Sequence, residues 1–180
     1  AGAIGSSVAA DLARAGHDLT VIDQWPAHVE AMRANGLHVR IPDEEFTVRI
    51  DAHHLCDLAA LNRSFDLVLL SPKSYDSAWM AQLITPYLAP DGVLIPLMNS
   101  MNDELSAEVF TPGELQRNTM RDRTWFGLGE LHGRITPRLA DIQQVLSCVG
   151  KVTLTSNIWG AKWAKLVNSS MILAPFGMLG

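Results

Sequence analysis

Two cysteines in 180 residues, Cys56 and Cys148, are too few and too far apart for a disulfide framework. That excludes a small disulfide-stapled scaffold and favours a reducing compartment, so the expected location is cytoplasmic. No apolar run approaches the ~20 residues of a membrane-spanning helix, and no secretory signal is visible. No membrane partner is expected. There is no basic run and no Lys/Arg stripe interleaved with aromatics, and the net charge is −5, which argues against nucleic acid as a partner. Neither a GxSxG elbow nor a P-loop occurs. His53-His54-x-Cys56 lacks a second ligand pair at workable spacing, so it reads as a polar loop before a helix start at Asp57, and no metal is expected. What the chain does have is a 48% apolar composition. At ~100–200 residues per domain, that supports one full domain and the start of another.

The informative stretch is the first one. Ala1-Gly2-Ala3-Ile4-Gly5 leads into apolar-periodic Val8, Ala9, Leu12 and Ala13, then Gly16, then strand-like Leu19-Thr20-Val21-Ile22-Asp23. Rim of a phosphate cradle, helix, turn, and strand ending in a carboxylate is the order of a dinucleotide-binding unit. Glycines at such a turn let the backbone approach a pyrophosphate, and the unpaired N–H groups of the helix start stabilise its charge. Gly2 and Gly5 have the spacing of the last two glycines of GxGxxG; the first glycine and first strand are expected before Ala1. A bare GxxG is also an ordinary tight turn. Asp23 shifts the reading, because a carboxylate about 20 residues on can hold a ribose diol.

Strands and helices alternate from there. Pro26 to Asn35 has helical apolar spacing and stops at Gly36. Leu37 to Arg40 and Phe46 to Ile50 predict short strands around the turn Pro42 to Glu45. Phe65 to Leu70 reads as a buried parallel strand, Tyr75 to Leu88 as an amphipathic helix, Pro90-Asp91-Gly92 as a turn, and Val93 to Leu97 as another buried strand. Pro137 to Cys148 predicts a helix, Lys151 to Thr155 the last strand, and Ile158 onward a long helix. The fold class is α/β, a Rossmann-type doubly wound parallel sheet followed by the start of a helical C-terminal domain. Residues 1–156 are expected to form the dinucleotide-binding unit, its first strand truncated, and 157–180 the first helix of a substrate domain whose remainder is expected beyond Gly180. Ligands of such sheets bind at the carboxyl ends of the strands. There lie Gly2 to Gly5, Asp23, Lys73 and Asn99. Lys73 could pair with a cofactor phosphate and Asn99 with a carboxamide or substrate oxygen; a solvated lysine and a turn asparagine fit the same positions.

Several segments resemble the ketopantoate reductase (2-dehydropantoate 2-reductase) family. These are the strand followed by Lys73, Asn99-x-Met101-Asn102, an expected hairpin of Gly113-Glu114-Leu115-Gln116-Arg117 with Gly127-Leu128-Gly129, and Asn157-Ile158-Trp159-Gly160-x-x-Trp163-x-Lys165-Leu166. The resemblance implies a nicotinamide cofactor, NADP as the family default, and reduction of a 2-keto acid to a 2-hydroxy acid in pantothenate biosynthesis. It matches Lys165 to the catalytic lysine that protonates the carbonyl oxygen, Asn99 to the asparagine beside nicotinamide and substrate, and Lys73 to the cofactor-side lysine. By helix pattern alone, Lys165 among Trp159, Trp163 and Leu166 is a snorkelling lysine.

Two departures bear on substrate and cofactor. Ser169 and Leu173 stand where the family places helix-face asparagines; Ser169 can still hydrogen-bond a substrate, whereas Leu173 cannot. Asp23-Gln24-Trp25-Pro26-Ala27-His28 carries no arginine for a 2′-phosphate, so Asp23 leans towards NAD against the family habit. Cofactor-binding candidates are Gly2, Ala3, Ile4, Gly5, Asp23, Lys73 and Asn99; substrate candidates are Asn99, Lys165 and Ser169. The loop after Asn102 is short for the family, which predicts a missing stretch near Ser106. Arg117, Arg121 and Arg123 read as a solvated face around the hairpin. Three functions stay open: a 2-keto acid reductase, an NAD-dependent hydroxy-acid dehydrogenase, and a non-catalytic nicotinamide-binding regulator. A homodimer through a further C-terminal domain is also open.

Overall fold

The computed structural model of the chain describes residues 1–97, 107, 108 and 111–179. Asn99 and the expected break near Ser106 lie outside the described residues.

Helix α1 (Ala3–Arg14) opens the chain and leads to strand β1 (Thr20–Asp23), helix α2 (Pro26–Asn35) and the hairpin β2 (Leu37–Ile41) and β3 (Glu44–Val48). Pro26 sits in the first turn of α2, where its missing N–H costs nothing, and Gly36 ends the helix at φ 82°. Val29 and Met32 turn inward from α2, as their spacing predicts. Strand β4 (Asp51–His54) follows and pairs in parallel with β1, placing His53 opposite Ile22 and His54 opposite Asp23. The polar loop expected at His53-His54 is therefore a strand. Its histidines are satisfied locally, His53 by Asp51 at 2.7 Å and His54 by Glu30 at 2.6 Å. No metal-binding group of three such residues occurs among the described residues.

Strand β5 (Phe65–Leu70), helix α3 (Ser77–Ile84) and strand β6 (Leu88–Pro96) form the next parallel unit. The amphipathic helix predicted from Tyr75 to Leu88 is α-helical only in its centre. It tightens into 3₁₀ turns over Ser74–Asp76 and Thr85–Tyr87, the second beginning where Pro86 cannot donate an N–H. The turn expected at Pro90-Asp91-Gly92 lies inside β6 and is absorbed by a register shift opposite Phe65 and Leu67.

After β7 (Ala107–Glu108) come β8 (Glu114–Arg117), β9 (Trp125–Leu128), helix α4 (Pro137–Leu146), β10 (Lys151–Leu154) and α5 (Ile158–Leu179). The expected hairpin is not formed: β8 runs parallel to β2 and antiparallel to β7, whereas β9 pairs in parallel with β10. The described strands thus make three parallel pairs and one mixed four-stranded sheet in the order β3-β2-β8-β7. The parallel α/β character holds, with this mixed sheet as an addition to the predicted plan.

Helix α1 is the hub. Val8 and Leu12 join a core with Phe126, Leu139, Ile142 and Val149, while Ala9 and Ala10 join a second core with Val21, Val29, Met32 and Leu115. Small residues on one face let the second core approach closely; larger ones on the other fill the first. Arg117 is 1% exposed, so the arginines are not a shared solvated face. Its guanidinium donates to Asp11 of α1 at 2.5 Å and to the Thr124 hydroxyl at 2.6 Å. Arg121 adds a second contact to Asp11 at 2.7 Å and one to Glu44 at 2.6 Å. Linear spacing gave no sign that Asp11 would meet a strand so distant in sequence.

Candidate functional site

At the carboxyl ends of β1 and β5 a cleft of about 1800 Å³ opens and runs back along both strands. Gly2 to Gly5, Asp23 and Lys73 all line it, so the predicted cofactor residues from three separate segments meet in one place. The glycine turn is pinned beside β1, where the Ala1 nitrogen donates to the Ile22 carbonyl at 2.9 Å.

The first bond of α1 runs from Ser6 N–H to the Gly2 carbonyl at 2.8 Å. The N–H groups of Ala3, Ile4 and Gly5 therefore belong to the unsatisfied first turn, at the positive end of the helix dipole. A Cβ on Gly2 would meet nothing within 4 Å. Packing does not require glycine there, but an extra methyl would occupy ligand space at the rim. Gly5 differs: its Cβ would collide with the Ser71 hydroxyl and lie 3.3 Å from Ser71 Cβ and 3.2 Å from Ala1 Cβ. With that atom present, the Ser71 hydroxyl would have to rotate away and the helix would have to back off from the end of β5. These are the two distinct demands a diphosphate cradle makes, close approach of ligand and close approach of helix to strand.

Asp23 is 8% exposed. Its Oδ1 accepts the Trp25 backbone N–H at 2.7 Å, which fixes the carboxylate at the cleft edge. Lys73 is exposed at the lip of the cleft, just past β5. The donor set fits a dinucleotide: backbone N–H groups for phosphates, a carboxylate for a diol, an ammonium for charge.

Lys165 lies elsewhere, on α5, and is not among the residues lining this cleft. Its side chain is 9% exposed, and burial pushes the ammonium below the ordinary lysine value. Ser169 is one turn further along α5; its side chain lies outside what the structure describes. The start of α5 explains part of the family-like motif. Asn157 caps the helix by accepting the Gly160 N–H at 2.8 Å, and a Cβ on Gly160 would fall 2.9 Å from Asn157 Cγ.

Sequence reasoning missed several residues of the cleft wall: Gln24, Trp25, His28, Asn118 and Met120. Asn118 directly follows the carboxyl end of β8, so the strand-end rule that found Asp23 would also have found it, had β8 been placed in parallel register with β2.

A parallel α/β fold whose glycine turn and strand-end carboxylate share one cleft belongs to the dinucleotide-binding class of proteins. The chain is a member of the ketopantoate reductase PanE/ApbA family, whose model matches residues 1–129. A 2-dehydropantoate 2-reductase of Lactococcus lactis is 29% identical over 110 residues, which is 61% of this chain and 35% of that protein. A PanE/ApbA family ketopantoate reductase of Ralstonia eutropha superposes with TM-score 0.78 at 26% identity, over 93% of this chain and 58% of that one. A D-mandelate dehydrogenase solved with NADH and anilino(oxo)acetate superposes with TM-score 0.77 at 19% identity, over 91% of this chain and 57% of that one. That last likeness is one of fold. The chain therefore spans about a third of the curated relative and under three fifths of each of the two solved structures.

Proposed function

We propose that the protein is an NAD(P)-dependent oxidoreductase that reduces a ketopantoate-like 2-keto acid to its 2-hydroxy acid. The observation that carries the reading is the meeting of Gly2 to Gly5, Asp23 and Lys73 in a single cleft at strand carboxyl ends. Family membership supplies the reaction class. Residues 1–156 are read as the dinucleotide-binding domain and 157–180 as the first helix of a helical substrate domain.

When bound, the nicotinamide supplies a hydride to the keto carbon. The N–H groups of Ala3, Ile4 and Gly5 hold the diphosphate, Asp23 accepts from a ribose diol, and Lys73 offsets phosphate charge at the lip. Lys165 gives a proton from Nζ to the carbonyl oxygen as the C–H bond forms, leaving a neutral amine and the 2-hydroxy acid. A buried ammonium whose proton is held less tightly than usual suits that transfer. Asn99 is assigned to nicotinamide and substrate, and Ser169 to substrate.

Asp23 favours NADH over NADPH, since a 2′-phosphate would meet a carboxylate and the stretch Asp23 to His28 carries no arginine to receive it. D-mandelate dehydrogenase carries NADH in the same fold. The two free thiols support a cytoplasmic setting, and no helix among the described residues is long and apolar enough to cross a membrane.

The test is oxidation of NADH and NADPH by the intact protein with a panel of 2-keto acids, wild type beside K165A. K165A is expected to lose turnover by ~10²–10⁴-fold, the usual worth of a general acid, while coenzyme affinity stays within about threefold. Turnover unchanged in K165A would remove Lys165 from the chemistry.

A further inference from the structure

Helix α2 places one buried imidazole between two backbone segments that the reaction model does not connect. His28 is 1% exposed and stacks on Trp25, ring centroids 5.5 Å apart and planes 19° from parallel. Its Nδ1 accepts the Gly113 N–H at 2.9 Å. An amide nitrogen can only donate there, so Nδ1 carries the lone pair and the ring proton resides on Nε2. That nitrogen lies 3.2 Å from Ser6 Oγ, and Ser6 Oγ lies 2.8 Å from the Ala1 carbonyl. A carbonyl can only accept, so the hydroxyl proton points to Ala1 and the hydroxyl oxygen receives Nε2–H. Every donor and acceptor along the row is fixed by chemistry: Gly113 N–H to Nδ1, Nε2–H to Ser6 Oγ, Ser6 O–H to the Ala1 carbonyl.

The row ends on the peptide that opens the glycine turn. A trans peptide is planar, with its carbonyl and the following N–H pointing in opposite directions. Holding the Ala1 carbonyl toward Ser6 therefore holds the Gly2 N–H away from it. The other end of the row is as specific. Gly113 sits at φ 77°, and a Cβ there would lie 2.8 Å from Ala31 Cβ, so only glycine lets this backbone come within reach of His28. Gly113 in turn accepts the His38 N–H of β2 at 2.8 Å, anchoring the row to the mixed sheet.

We infer that His28, acting through the Ser6 hydroxyl, is a positioning residue for the diphosphate cradle: it orients the Ala1–Gly2 peptide and so sets affinity for the nicotinamide coenzyme. The inference rests on the coenzyme reading above. Ser6 is not among the residues lining the cleft, and His28 reaches the cradle peptide only through the Ser6 hydroxyl. An imidazole is suited to the place because it presents an acceptor and a donor on opposite edges of one rigid ring.

Three variants of the intact protein separate this role from mere packing, read by fluorescence titration with NADH and NADPH and by thermal melting. S6A removes the last link while leaving the imidazole and the helix intact. H28N offers a carbonyl near Nδ1 to Gly113 but no donor to Ser6. H28Q reaches the Nε2 position and restores that donor. S6A and H28N are expected to raise the coenzyme Kd roughly tenfold, about one lost hydrogen bond, and H28Q to recover it to within about threefold of wild type. Should S6A and H28N bind as wild type does, whatever their melting temperatures, the positioning role is wrong. If wild type itself binds neither nucleotide, it is the coenzyme reading that fails.

Discussion

At the residue scale, burial lowers the proton affinity of two side chains given roles here, His28 and Lys165. Desolvation is the main influence on His28 and holds its imidazole below the ordinary value of 6.5, and the Asp23 carboxylate pulls the other way. A base whose folded value is depressed resists the proton that the unfolded chain accepts. Its stabilising contribution is complete above about pH 6.5 and is lost as pH falls below that, down to the folded value. The melting-temperature advantage of wild type over H28Q is therefore expected to shrink between pH 7 and pH 5, measured at constant ionic strength. An advantage that grows on acidification would mean that the imidazole is held protonated. Asp23 shows what was legible at this scale: a carboxylate closing an apolar strand at the right separation from a glycine pair. His28 was in plain view beside it and carried no signal. Its partners, Ser6 and Gly113, come together only in the fold.

At the element scale, α1 couples cradle to core. Its first turn faces the cleft, its middle divides two hydrophobic clusters, and Asp11 ties it to β8 through Arg117. Removing one partner of such a buried pair leaves the other charge unpaired, at a cost of roughly 3–5 kcal/mol. D11A is expected to lower the melting temperature by about 10 °C, and D11A combined with R117M to regain part of that loss; equal melting of D11A and wild type would show the pair to be dispensable. Periodicity found α1, α2 and α4 because their faces bury in one direction; it also found the strands at Phe65 to Leu70 and Val93 to Leu97, but these are mostly half-exposed, with Leu70 and Leu97 alone buried in the two runs. It misplaced β4 because Asp51-Ala52-His53-His54 buries fully only Ala52. It mistook β8 and β9 for a hairpin because their neighbours, β2 and β10, are set by topology rather than by the intervening turn. Arg117 looked solvated for the same reason.

At the scale of the whole molecule, the parts assemble around the carboxyl ends of parallel strands, as the alternation of strand and helix foretold. On α5, Trp163 and Met171 are exposed whereas Lys165 is buried, so the ammonium assigned to proton transfer is held apart from solvent. The central claim is that the glycine turn and Asp23 together grip a nicotinamide coenzyme. Titration of the intact protein with NADH and NADPH in parallel, followed by nucleotide fluorescence, tests it most directly. Saturable binding, tighter for NADH and weakened by D23N, is the result this account predicts. Absence of saturable binding by either nucleotide would contradict it.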